Sequence, residues 1–360
     1  MAHVTLGLLT VTSKHEHHYL TETAKMSKLY DIECVRFTPG AIDPKTLRID
    51  GERFCTKSEE WQTDNFSIPD YIYDRCFYNR KAKKEKPIVD WLKNYPKTTF
   101  LGYGLPDKWT LYQSLKSDST IGCYLPATTL VQSPNQILAH LRSHSNCLIK
   151  PRNGSRGVGI LAIQLASNTI KVTYHKGRDK KTKNFHSIKE FNIWIEKLIA
   201  QNDYLLQPLL QLNDKQSFPF DIRLFMQKNG NGQWELVEKG IRKGYKGSFL
   251  SNLYSGGETI NYSEWCLSLS NKQKTLLEDN LQTIVSQLPH ILENRFQRLF
   301  EIGIDIGYAQ DESVWILDIN SKPGRKTILT TSPHLSNRLY EAPLAYCHYL
   351  SQQSLLKEPN

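Results

Sequence analysis

Apolar and polar positions alternate over residues 3–11 and then run together at Leu8-Leu9, the pattern of a buried strand. Helical spacing over residues 16–30 and a second apolar run over 32–37 extend this to a β-α-β start. Residues 47–54 predict a hairpin turning at Asp50-Gly51, a dipeptide that accepts the left-handed backbone of tight turns. Residues 69–75 predict a further strand ending in the polar pair Asp74-Arg75, and Gly102, Gly104 and Pro106 then punctuate the chain. A first α/β domain over residues 1–105 is the expectation.

The remainder opens with a helix at about 108–116 and another over 136–143, followed by the apolar strand 147–150. Strands at 159–165 and 169–175 precede a long helix at 188–200 and a short apolar segment at 204–206. Residues 222–227 and 234–240 predict an antiparallel pair turning at Asn229-Gly230-Asn231-Gly232. Residues 276–299 read as mostly helical, ended or interrupted around Pro289, where a missing N–H breaks the ladder. Strands at 301–308 and 313–319 and a helix at 335–350 close the pattern, without internal repeats.

Composition changes this picture little. The 360 residues are 39% hydrophobic and 23% charged, as in ordinary globular domains. No apolar run reaches the roughly 18 residues that span a bilayer, and the start reads as a strand rather than a leader, so a cytoplasmic location is expected. The seven cysteines form no C-x-x-C pair that would suggest zinc or redox chemistry. The net charge of +10 is compatible with nucleic acid, acidic polymers or anionic substrates as partners. The basic residues concentrate only at 80–86 and 176–183, both read as solvated loops, and no nucleic-acid-binding motif accompanies them.

Three constellations carry candidate chemistry. In residues 148–160 a strand delivers Lys150, a loop rich in glycine follows, and another strand leaves. Backbone N–H groups freed by Gly154, Gly157 and Gly159 can curl around an anion, with Ser155 and Arg156 adding donors, although a plain hairpin would share the pattern. Asp305, Asp318 and Asn320 stand within two apolar strands, where hard oxygen ligands suit Mg²⁺ and where salt-bridged edge residues are the alternative. Arg223 lies mid-strand with Asp221 on the same face, and Arg242 is expected beyond the next strand. The two arginines suit a phosphoryl clamp or a structural ion pair.

In this order the pieces resemble the ATP-grasp superfamily over about residues 105–330. The resemblance implies an N-terminal α/β domain at 1–105, a central subdomain with the phosphate loop at 106–206, and a C-terminal subdomain with the metal site at 207–360. It sets Lys108 and Lys150 as the ATP lysines, and Ser155, Arg156, Gly157 and Val158 in the phosphate lid. Tyr204–Leu210 resembles the adenine hinge, bringing Gln207, Pro208 and Leu210 to the nucleotide. Arg223 and Arg242 become catalytic, and Asp305, Asp318 and Asn320 hold magnesium. Gln207 and Asp318 each stand where many members carry Glu, changes that keep a hinge backbone and an oxygen ligand.

Pro69–Arg75, Arg242-Lys243-Gly244 and Ser251–Gly257 narrow the resemblance to the YheC/YheD group of spore-coat-associated bacterial proteins, with Asn252 and Gly257 expected at the substrate. The implied reaction joins a small-molecule or peptide carboxylate to an amine at the expense of ATP, through an acyl phosphate. A non-catalytic ATP-binding coat protein and a kinase of the same fold are the rivals. The retained lysines, arginines and oxygen triad argue against the first.

Overall fold

The computed structural model describes residues 4–77, 83–154, 157–251 and 256–356. Its first sheet contains β1 (Val4–Leu9), β2 (Ile32–Phe37), β3 (Arg48–Cys55), β4 (Glu60–Ser67), β5 (Tyr71–Asp74) and β6 (Thr99–Phe100), in the order β4-β3-β2-β1-β5-β6. Helix α1 (His17–Lys25) joins β1 to its parallel neighbour β2, and α2 (Lys86–Lys93) joins β5 to its parallel neighbour β6. The hairpin does not turn at Asp50-Gly51. β3 runs straight through that pair, Gly51 opposes Asp64 on β4, and the turn falls between Cys55 and Glu60. Ile49 and Phe54 are buried, and a Cβ on Gly51 would come within 2.7 Å of the Arg36 carbonyl of β2. Close approach of a neighbouring strand, not turn chemistry, accounts for this glycine.

The second sheet is antiparallel: β7 (Thr129–Leu130), β8 (Asn146–Pro151), β9 (Leu161–Ala166), β10 (Thr169–Lys176), β11 (Asp179–Phe185) and β12 (Tyr204–Gln207) lie in the order β11-β10-β9-β8-β12-β7. Helix α3 (Lys108–Leu115) precedes it, and α4 (Pro134–His144) and α5 (Ile188–Ile199) cover one face. The basic stretch 176–183 is therefore not a loop. Gly177 and Arg178 form a tight turn, with Gly177 at φ 64°, and β11 pairs with β10 along its length. Residues 179–184 are exposed on both sides, so no apolar alternation marked them as a strand.

The third sheet, also antiparallel, comprises β13 (Phe220–Lys228), β14 (Trp234–Lys243), β15 (Glu258–Asn261), β16 (Glu301–Tyr308) and β17 (Val314–Asn320), ordered β15-β14-β13-β16-β17. Arg242 thus lies within β14, not beyond it. The short α6 (Tyr262–Cys266) leads to α7 (Asn271–Arg295), which a Ser270/Gln273 capping box starts and which runs unbroken through Pro289. Leu281, Ile284, Leu288 and Leu292 bury one stripe of α7 against this sheet and hold the helix across the lost backbone bond. After α8 (Lys326–Thr331), the last helix α9 (Ser336–Leu355) returns to the first sheet. Leu339, Tyr340 and Leu344 pack there with Leu6, Leu8 and Leu20 in one core. No described helix is long and apolar enough to cross a membrane.

Candidate active site

Strand alternation aims the central residues. Along β8, Cys147 and Ile149 are buried in the core that α4 and α5 cover, so Leu148 and Lys150 face the opposite way, into a cavity of about 730 Å³. The Lys150 ammonium donates to the Leu317 carbonyl of β17 at 3.0 Å. Burial, together with the nearby Lys108 cation, pushes it down to about 8. Lys108 is the first residue of α3. Asp107 caps that helix by accepting from the Trp109 and Thr110 amides at 3.0 and 3.2 Å. Arg152 grips the same carboxylate at 2.7 and 3.0 Å, tying the helix start to the end of β8 and holding Asp107 well below the usual carboxylate range. The Lys108 ammonium rests on Asp318.

The opposite wall is a ladder of charge across four strands. Arg242 on β14 is opposite Asp221 on β13, Arg223 on β13 is opposite Asp305 on β16, and Asp305 is opposite Asp318 on β17. Arg223 donates to Asp305 at 2.6 Å; Arg242 reaches Asp221 at 2.6 Å and Asp305 at 2.8 Å. Burial alone would raise the Asp305 carboxyl, but Arg223 and Arg242 outweigh it and hold it below its ordinary value. Asp221 is instead raised by its burial, with Asp305 adding repulsion, and the Ser251 hydroxyl donates to it.

Lys108, Lys150, Gly157, Val158, Gln207, Pro208, Leu210, Arg223, Arg242, Asp305, Asp318 and Asn320 all line this one cavity. Gln207, at the end of β12, is buried and donates to the Thr128 hydroxyl at 2.7 Å. Gly257 stands immediately before β15 and is not on the cavity wall, while Ser155, Arg156 and Asn252 lie outside the described residues.

The donor set suits a hard divalent cation and polyphosphate. Two carboxylates and the Asn320 amide converge, and cationic side chains already rest on both carboxylates. Lys150, a half-buried ammonium that donates to a neutral carbonyl, faces the cavity as an anion site would require. Among the described residues no three His, Cys, Asp or Glu side chains form a metal cluster, so Asn320 is needed to complete the oxygen set.

Sequence reasoning missed the far end of the cavity, lined by His15, Glu16, Phe77, Lys322, Lys326 and Thr327. Behind it lies a buried ionic quartet: Arg75 binds Glu16 and Glu301, and Arg325 reaches the same two carboxylates. Arg75 is fully buried and Glu301 only 2% exposed. Glu16 opens α1 in the left-handed region at φ 52°. Burial opposes its charge, yet Arg75 and Arg325 bring its carboxyl down to about 2. The polar end of β5 was the only local signal, and nothing near Glu16 or Glu301 in the chain pointed to their partners.

A family model described as YheC/D like ATP-grasp matches residues 97–350. The chain belongs to the YheC/D-like ATP-grasp family. It is 44% identical over 354 residues to the endospore coat-associated protein YheC of Bacillus subtilis, covering 98% of this chain and 97% of that protein. Among solved structures, D-alanyl-alanine synthetase A from Vibrio cholerae superposes with a TM-score of 0.56 at 12% identity, covering 98% of this chain and 100% of that one. N5-carboxyaminoimidazole synthetase from Staphylococcus aureus, complexed with ADP, gives a TM-score of 0.52 at 11% identity over 96% of this chain and 77% of its own. At such identities the structural likeness speaks for the ATP-grasp fold, here a mixed α/β chain built on three sheets.

Proposed function

We propose that this family member is an ATP- and magnesium-dependent ligase that joins a small-molecule or peptide carboxylate to an amine through an acyl phosphate. The observation that carries this reading is the convergence, in one cavity, of Lys108 from the start of α3 and Lys150 from the second sheet with the Asp305/Asp318 pair and two arginines from the third. ATP-binding cations and metal-binding oxygens have to meet at a triphosphate, and a structural ion cluster has no need of the cavity-facing Lys150. The synthetase names of the two fold neighbours and the ADP in one of them support the same class.

In this mechanism the backbone of Gln207–Leu210 reads the adenine edge, while Leu148, Leu210 and Leu317 supply apolar surface for the base. Lys150 and Lys108 bind phosphate oxygens, with Gly157 and Val158 of the lid closing over them. Asp305, Asp318 and Asn320 would hold magnesium, which neutralises charge on the phosphates. Lys108 must then release Asp318 and turn to the nucleotide. Arg223 and Arg242 aim their guanidinium forks at the transferring phosphoryl group. The acid and the amine enter from the end lined by Glu16 and Lys326, and Asn252 and Gly257 are assigned to the substrate on family resemblance. An association of this chain with the spore coat follows from YheC's name and belongs to the same proposal.

Release of ADP from Mg-ATP, scanned over acids, amines and peptides with mass spectrometry of the products, tests the reaction. A condensation product that needs both acid and amine supports it; ADP release with phosphorylation of a hydroxyl compound makes the protein a kinase instead. Binding is tested separately by thermal unfolding, where Mg-ATP at about 100 times its dissociation constant adds about 2.7 kcal/mol. An unchanged midpoint at millimolar Mg-ATP would overturn the nucleotide assignment.

A further inference from the structure

The β10–β11 hairpin carries six cations, Lys171, Lys176, Arg178, Lys180, Lys181 and Lys183, against the single carboxylate of Asp179. β11 is the outer strand of its sheet, so among the described residues one side of its backbone has no ladder partner. Residues 179–184 are exposed on both faces. A row of unpaired backbone groups accepts an extended peptide as an added strand, with main-chain bonds for affinity and side chains for selection.

The hairpin is also joined to the rim of the cavity. Lys180 donates to the Gly247 carbonyl, the Tyr245 hydroxyl to the Arg178 carbonyl at 3.3 Å, and His175 meets the Ser248 hydroxyl at 3.2 Å. The next residues of that loop, Phe249, Leu250 and Ser251, are cavity wall.

We infer that β11 is a docking strand for an acidic, extended peptide, which brings a peptide carboxylate or amine to the cavity. The inference rests on the ligase reading for its purpose but not for its test. Charge selects the occupant. A second copy of this chain would bring the same lysines to the edge, and like charges across a strand pair repel. A single-stranded nucleic acid would satisfy the charge but not the backbone groups. The one ring on β11 itself, Phe185, is buried and offers such a strand no stacking face. Seven residues of β11 extend about 20 Å at roughly 3.3 Å each, enough for a docked segment to run along the strand to the rim.

Fluorescence anisotropy with a short labelled Glu-Thr repeat peptide, in the absence of nucleotide, tests the surface. The intact chain should bind it saturably and more weakly as salt rises. The triple variant Arg178→Glu/Lys181→Glu/Lys183→Glu should lose at least about tenfold in affinity. A control with the same number of reversals on exposed lysines elsewhere, Lys57→Glu/Lys272→Glu/Lys274→Glu, should stay within about twofold once far from the site. Thermal unfolding checks that both variants are folded, and amide hydrogen exchange on the intact chain should slow at 179–184 when the peptide is added. Equal losses in the two variants, unchanged exchange at 179–184, or tighter binding of a short oligothymidylate than of the peptide would each overturn the docking strand. A chain that docks the peptide but gives no Mg-ATP response would sink the ligase reading while leaving this surface in place.

Discussion

Changing Glu16 to Gln removes one negative charge from the buried quartet and leaves Arg75 and Arg325 with Glu301 as their remaining carboxylate. The cost follows from proton linkage. In the folded chain the Glu16 carboxyl is held at about 2 against an ordinary value of 4.5. The difference corresponds to about 3 kcal/mol of folded-state preference for the charged form. Because the folded value is the lower one, that stability is fully present above pH 4.5 and disappears as the pH falls towards 2. The parent should therefore lose about 3 kcal/mol over this window from Glu16 alone. Glu16→Gln should already lack that contribution at neutral pH and show a correspondingly flatter acid dependence. Urea unfolding followed by tryptophan fluorescence at pH 7 and at several values down to pH 2 measures both. A variant as stable as the parent at pH 7, or one with the parent's full acid slope, would refute the claim that the two arginines hold this carboxylate.

Two further outcomes concern the charge ladder. Asp318→Asn keeps the shape of the side chain but removes the charge on which Lys108 rests, so Mg-dependent turnover should collapse while the folded fraction is retained. Full activity in a destabilised variant would make the cluster structural. Arg223→Lys should lose about 10² to 10³ in turnover yet bind a non-hydrolysable ATP analogue within a few-fold of the parent, because a point charge cannot replace the planar fork. Calorimetry beside an ADP-release assay separates the two, and equal losses in binding and turnover would make Arg223 an ordinary nucleotide contact.

The charge ladder was legible in the chain because it is written in alternation. Asp221 and Arg223, and likewise Asp318 and Asn320, are two apart in apolar strands, so each pair had to share a face. The structure adds what alternation cannot contain, that β13, β16 and β17 are neighbours and bring Arg223, Asp305 and Asp318 into register. Gly51 misled because an Asp-Gly pair and a close strand approach call for the same residue, and the choice between them is made by Arg36, fifteen positions away on another strand. β11 was invisible for a different reason. Its pattern records only solvent, whereas its place was set by the turn at Gly177 and by pairing with β10. The quartet around Glu301 joins groups more than 200 residues apart, and no local pattern could announce it.

The return of α9 to the first sheet sets the order in which this protein can be completed on the ribosome. Leu6, Leu8 and Leu20 leave the exit tunnel more than 300 residues ahead of the apolar stripe that covers them, Leu339, Tyr340 and Leu344. At about 5–20 residues per second the first sheet waits on the order of tens of seconds for its lid. During that interval the second sheet and the α7 face of the third, whose cores are separate clusters, can close first, while Phe225 and Val237 on the other face of the third sheet share the core that α9 completes. A ribosome stalled shortly before residue 336 would therefore display the open apolar face of the first sheet for chaperones to find.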